Sequence, residues 1–77
     1  MNYFDSAHAL ADVYKEKANI AIHLMKKGEL AKADRYIQAT YAISQAAQRA
    51  LPHDHFEFFC NEVQPYSKHL FQVKDRR

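Results

Sequence analysis

Lys26-Lys27-Gly28-Glu29-Leu30-Ala31-Lys32-Ala33 holds the single glycine of the chain, and the reading of this stretch decides the fold. Two lysines followed by a glycine mark the end of a helix. The cations suit the negative end of the helix dipole, and glycine accepts the left-handed conformation just past the last turn. Glu29 suits the positive end of a new helix. With so little turn material between two helices, the simplest connection is an antiparallel hairpin.

Upstream of this turn, Asp5 and Ser6 are good N-cap residues and predict a first helix over about residues 6–27. Downstream, the second helix covers about 29–50 and stops before Pro52, because the residue preceding a proline disfavours the helical conformation. A third helix opens at Asp54, with Glu57 three residues on in a capping-box-like relation. Phe56, Phe59, Cys60, Val63, Ser67 and Leu70 then fall at helical spacing. Pro65 lies inside that pattern and deletes one backbone hydrogen bond, which predicts a kink or a split near Gln64 into helices 54–63 and 65–73. Phe56-Glu57-Phe58 alternates too briefly to make a strand. The expectation is an all-α single domain over 1–77, a three-helix bundle built on an antiparallel helical hairpin.

The composition supports one small core. Seventy-seven residues suffice for one domain, and the apolar share of 48% is ordinary for a globular protein. A chain this short buries only somewhat over ~60% of the surface its unfolded form exposes, so the stability margin is small. Cys60 is the only cysteine, which excludes an intrachain disulfide and fits a reducing compartment. Neither a secretory leader pattern nor a long charge-free apolar run is visible, so a cytoplasmic protein without membrane contact is expected. The 11 basic and 9 acidic residues are spread along the chain rather than gathered. That disfavours a sequence-independent nucleic-acid binder, which concentrates its positive charge. Only the tail Lys74-Asp75-Arg76-Arg77 is locally basic.

Projected at about 100° per residue, the first helix carries two apolar stripes. Leu10, Val13, Ile20 and Leu24 form one, and Ala7, Ala11, Tyr14, Ala18, Ala21 and Met25 the other. Small side chains admit a close neighbour, so the alanine stripe is expected to face helix two and the larger stripe the aromatic third helix. Lys17 projects between them, its stem on apolar surface and its charge in water.

The second helix has no charged residue from Tyr36 to Gln48. Its core face reads Ala33, Tyr36, Ile37, Thr40, Ile43, Ala47 and Leu51. The opposite face reads Arg35, Gln38, Ala39, Ala42, Gln45, Ala46 and Arg49. Solvent-facing helix surfaces normally carry charge. A flat, neutral face of small residues is the candidate docking surface for a partner protein or a second copy. Most aromatics, Tyr36, Tyr41, Phe56, Phe59, Tyr66 and Phe71 among them, read as core. Phe58 points away from Phe56 and Val63 and is a candidate exposed anchor.

No catalytic apparatus is legible. Ser6, Ser44 and Ser67 lack a nucleophile-elbow context, and no glycine-rich loop offers a phosphate cradle. His53-Asp54-His55-Phe56-Glu57, with Cys60 nearby, contains metal-ligating residue types, but not four ligands at a recognisable zinc spacing. No cofactor or metal is expected. Arg49 and His55 have a spacing that resembles the short catalytic motif of the HEPN ribonucleases; Pro52 interrupts the helix between them, and no role is carried over. The turn Gly28-Glu29-Leu30-Ala31-Lys32-Ala33, followed by Tyr36 and Ala39, is similar to that of a tetratricopeptide unit. Such arrays need about three units and this chain has one, so the stretch implies hairpin chemistry and no family.

The functional expectation is a non-enzymatic protein–protein interaction module, a small regulator, inhibitor or adaptor, forming a homodimer through helix two. The alternative is a dimeric nucleic-acid-associated regulator that uses Arg35, Arg49 and the basic tail.

Overall fold

A computed structural model describes residues 3–75. Three helices follow in order, α1 (Tyr3–Lys26), α2 (Leu30–Ala50) and α3 (His53–Asp75), and the described residues contain no strand. The molecule measures 41 × 17 × 15 Å. Its long dimension is that of one helix, since 24 residues rise about 36 Å. It is therefore the all-α three-helix bundle that the sequence predicts.

The turn is built as Gly28 requires. Its φ is +83°, the one positive value among the described residues. The Gly28 N–H donates to the Met25 carbonyl at 3.0 Å, and the Glu29 N–H to the Leu24 carbonyl at 2.9 Å. This pair of bonds is a Schellman cap, which satisfies carbonyls that the helix end leaves open. A Cβ at residue 28 would meet nothing within 4 Å. Gly28→Ala should therefore act through the backbone alone and lower stability by about 1–2 kcal/mol. A lower urea midpoint is the expected result, and an unchanged midpoint would contradict this account.

The Glu29 carbonyl accepts the first bond of α2, from Ala33 N–H at 3.0 Å. At the far end the Leu51 N–H still reaches the Ala47 carbonyl, while Leu51 itself turns extended and Pro52 follows. The Pro52 carbonyl then receives the Phe56 N–H at 2.9 Å. Helix α3 thus opens at His53, one residue before the predicted start, and Asp54 lies in its first turn instead of capping it.

Helix α1 is the middle layer. Its N-terminal half meets the start of α3 through Phe4 and Phe58, with ring centroids 5.6 Å apart, and through Tyr14 and Phe59 at 6.0 Å. Further on, Lys15 Nζ lies 3.5 Å from Glu62 Oε1. These pairs set α3 parallel to α1, with α2 antiparallel to both. Both neighbours pack on α1, whereas α2 and α3 scarcely touch each other. Between them Tyr41 stacks on Phe71, at 6.3 Å and 19°.

The core follows from this layering. Ala7, Ala11, Ala18 and Ala21 are fully buried, and Tyr14 and Met25 nearly so. One cluster joins the first part of this stripe to Ala47, Leu51, Phe59 and Val63; a second joins Ala21, Ile22 and Met25 to Ala33, Ile37 and Leu70. The alanine stripe thus faces both neighbours, not α2 alone. Thr40 is the buried polar residue, and its hydroxyl donates to the Ile37 carbonyl at 2.7 Å, so its burial leaves no unmet donor.

Four further expectations change. Helix α1 already includes Tyr3, a turn earlier than Asp5 or Ser6 would cap it, and Tyr3 and Phe4 find ring partners on α3, with Phe4 4.3 Å and Tyr3 5.6 Å from the His55 ring. Of the kink or split expected at Pro65, the split into 54–63 and 65–73 does not occur: one helix contains Pro65. The proline removes the bond to the Asn61 carbonyl, but both residues are exposed, so water can take that carbonyl, and buried Leu70 anchors the helix beyond it. Among the aromatics expected in the core, only Phe59 is fully buried; Tyr36, Tyr41, Phe56 and Tyr66 are half-buried, and Phe71 is exposed. Phe58 is no lone exposed residue, since it is half-buried edge-on to Phe4. No helix among the described residues is long and apolar enough to cross a membrane.

Candidate interaction surface

The register of α2 places its two faces as the sequence implied. Ala33, Ile37, Thr40, Ala47 and Leu51 are buried, and Tyr36 and Ile43 half-buried beside them. Opposite, Arg35, Gln38, Ala42, Gln45, Ala46 and Arg49 are all exposed, and Ala39 is half-buried at the border. Neither α1 nor α3 covers this neutral face. Phe58 is not part of it, because it belongs to the ring cluster at the start of α1.

At the border of that face, a trough of about 480 Å³ lies between α1 and α2. Ile20 and Leu24 line it from α1, and Tyr36 and Ala39 from α2. Lys17, Lys32 and Arg35 stand around it. The Lys17 ammonium lies 5.7 Å from the centre of the Tyr36 ring, a cation–π position that keeps its charge at the trough's edge. Lys32 Nζ is 3.3 Å from Glu29 Oε1, an exposed pair that contributes little. Arg35 makes no ion pair among the described residues.

The larger stripe of α1 therefore runs beside α2, not against α3. Val13, also in that stripe, remains 42% exposed, which an α3 packed there would have prevented. Sequence reasoning missed Lys17, Ile20 and Leu24 as surface-site residues. Their signal was present in the stripe, but it was allotted to the wrong neighbour.

No protein-family model matches the chain, and neither a curated protein nor a solved structure matches it. The reading of the surface rests on its own chemistry.

A second groove, of about 430 Å³, separates α2 from α3, with Tyr14 in its floor and Ser44, Phe59, Cys60, Val63, Gln64, Ser67 and Lys68 among its walls. Burial, and secondarily the Glu57 carboxylate, push the Cys60 thiol up from its ordinary value. That keeps it protonated and a poor nucleophile near neutral pH. At the histidine-rich start of α3, His53 is exposed and His55 packs. His55 rests against Phe4 and Tyr3, and its Nδ1 is buried with no hydrogen-bond partner among the described residues. No group of three or more His, Cys, Asp or Glu among the described residues is placed to hold a metal ion. Arg49 and His55 fall on different helices, either side of the break at Leu51 and Pro52. Of the basic tail, Lys74 and Asp75 end α3 as exposed residues, and Arg76 and Arg77 lie outside the described residues.

Proposed function

We propose that this chain is a non-enzymatic, cytoplasmic protein–protein interaction module, a small regulator, inhibitor or adaptor that also associates with itself. One observation carries the reading. Gln38, Ala42, Gln45 and Ala46 are exposed on a helix that has no charge from Tyr36 to Gln48. Water gains little from such a face, and small side chains let a second helix approach closely. A small core gives a chain of this size a reason to recruit a second subunit.

Self-association is centred on Ala42 and Ala46. Light scattering across a tenfold concentration range should return a mass above that of the 9.0 kDa protomer. Ala42→Glu and Ala46→Glu should each return it to the protomer mass with helical content unchanged, because a carboxylate there would have to be desolvated in the dimer alone. A protomer mass at every concentration, or a variant that associates as the parent does, removes the homodimer. A nucleic-acid-associated regulator is the second reading. Its support is the gathering of Lys17, Lys32 and Arg35 around the trough, with Arg49 further along α2. Phosphate contacts of that kind would weaken steeply with salt.

A further inference from the structure

The trough between α1 and α2 pairs an apolar floor with a one-signed rim. Ile20, Leu24 and Ala39 give it apolar surface beside the Tyr36 ring, while Lys17, Lys32 and Arg35 surround it. The single nearby carboxylate paired with any of the three is Glu29, at the turn end. Lys17 and Leu24 are seven residues apart, so the lined segment extends about 10 Å along α1, or two turns of an incoming helix. Val13 is exposed on the same stripe about one turn before Lys17.

We propose that this trough seats an acidic amphipathic helix of a protein partner, its apolar seam on Ile20, Leu24 and Ala39 and its flanking carboxylates on Lys17, Lys32 and Arg35. The inference rests on the interaction-module reading and names the partner's chemistry. Helices recognised in grooves place apolar side chains at i, i+3 or i+4, and i+7, which the length of the floor accommodates. Arg35 can grip a carboxylate with two parallel hydrogen bonds. A second copy of this chain fits the trough poorly, since it would bring the same three cations against these three. A nucleic acid would satisfy the cations but has no apolar seam to lay on the floor.

The test is a selection on the immobilised full chain from a displayed library of helices. Each member has an apolar seam of varied Leu, Ile, Phe and Ala, and flanks varied among Glu, Gln and Lys. Glu should be enriched at the flanks, and the selected peptide should lose affinity as salt rises from about 50 to about 300 mM. The double variant Lys17→Glu, Arg35→Glu, at exposed or half-exposed positions, should bind that peptide at least tenfold more weakly and should select Lys flanks instead. Ile20→Gln should weaken binding whatever the flanks carry. Flanks without a Glu preference, a preference unaltered in the double variant, or no helix enriched at all would each overturn the proposal, as would retention of a DNA duplex where no acidic helix is selected. The mass measurement with Ala42→Glu is independent of these outcomes. A chain that self-associates but selects no acidic helix loses this inference and keeps the reading above.

Discussion

Truncating Phe59 to alanine is expected to cost about 3–5 kcal/mol, the range for removing a buried aromatic ring and leaving its cavity. Phe59 is fully buried and is among the largest side chains with no exposure. Its ring lies edge-on to Tyr14 at 6.0 Å and stacks on Phe56 at 6.1 Å, so one side chain ties α3 to α1 and to its own helix. The cluster around it includes Ala11, Ala18, Ala47, Leu51 and Val63, from all three layers and the α2–α3 connection. Alanines cannot move in to fill the space, because their side chains end at Cβ. A domain of this length is stabilised by about 4–12 kcal/mol in total, at ~0.05–0.15 kcal/mol per residue. The variant should therefore retain little cooperative structure. Urea unfolding followed by circular dichroism should show a large loss of midpoint. Phe71→Ala removes the same ring from an exposed position stacked on Tyr41, and should cost about 1 kcal/mol or less. Equal losses in the two variants would mean that Phe59 does not organise the core.

The positions of the helices were legible because their ends carry local chemistry. Gly28 can adopt φ of +83° at no steric cost, and Pro52 stops α2 whatever else is nearby. The burial of Ala33, Ile37, Thr40 and Ala47 was likewise readable from spacing alone. What spacing cannot supply is the neighbour that fills each sector around a helix. Both stripes of α1 were visible, yet the alanine stripe faces α2 and α3 together, and Ile20 and Leu24 border a trough beside α2. Pairing each stripe with one helix assumed that α1 lies at one side. It lies in the middle, and that is a property of the assembled layers.

The same cause explains the aromatic residues. An interior walled by alanines on its central helix holds two buried rings, Tyr14 and Phe59, while Tyr36, Tyr41, Phe56, Phe58 and Tyr66 settle half-buried along the seams and Phe71 stays exposed. Phe58 reads as exposed because it points away from Phe56 and Val63 on its own helix. Extending α1 to Tyr3 brings Phe4 beside it. Residues of the neutral face of α2 were identifiable from the missing charge between Tyr36 and Gln48. The cations of the trough were not, because Lys17, Lys32 and Arg35 are scattered in sequence and are gathered only when α1 and α2 pack. Charge counted along a chain reports a dispersed distribution even where folding concentrates it.

Ala18→Leu tests the layering itself. Ala18 is fully buried near the middle of α1, in the stripe on which both neighbours pack. Leucine adds apolar surface, and in a site that could open it would add up to about 2 kcal/mol of favourable burial. Here opening would have to displace α2 or α3, and displacing either breaks contacts made along the rest of the stripe. Overpacking of this kind costs about 1–3 kcal/mol and occasionally more, so the cost should exceed the gain. The expected result is a net loss of stability with weakened near-UV dichroism, as Tyr14 and Phe59 lose their fixed environment. Ala9→Leu, the same change at an exposed position of α1, should stay within about 0.5 kcal/mol of the parent. Ala18→Gly should cost about 1 kcal/mol through helix propensity while leaving the packing distance intact. A stable Ala18→Leu variant would show that α1 has a free side at this level. The two-sided burial of the alanine stripe, and with it the assignment of Ile20 and Leu24 to an open trough, would then have to be withdrawn.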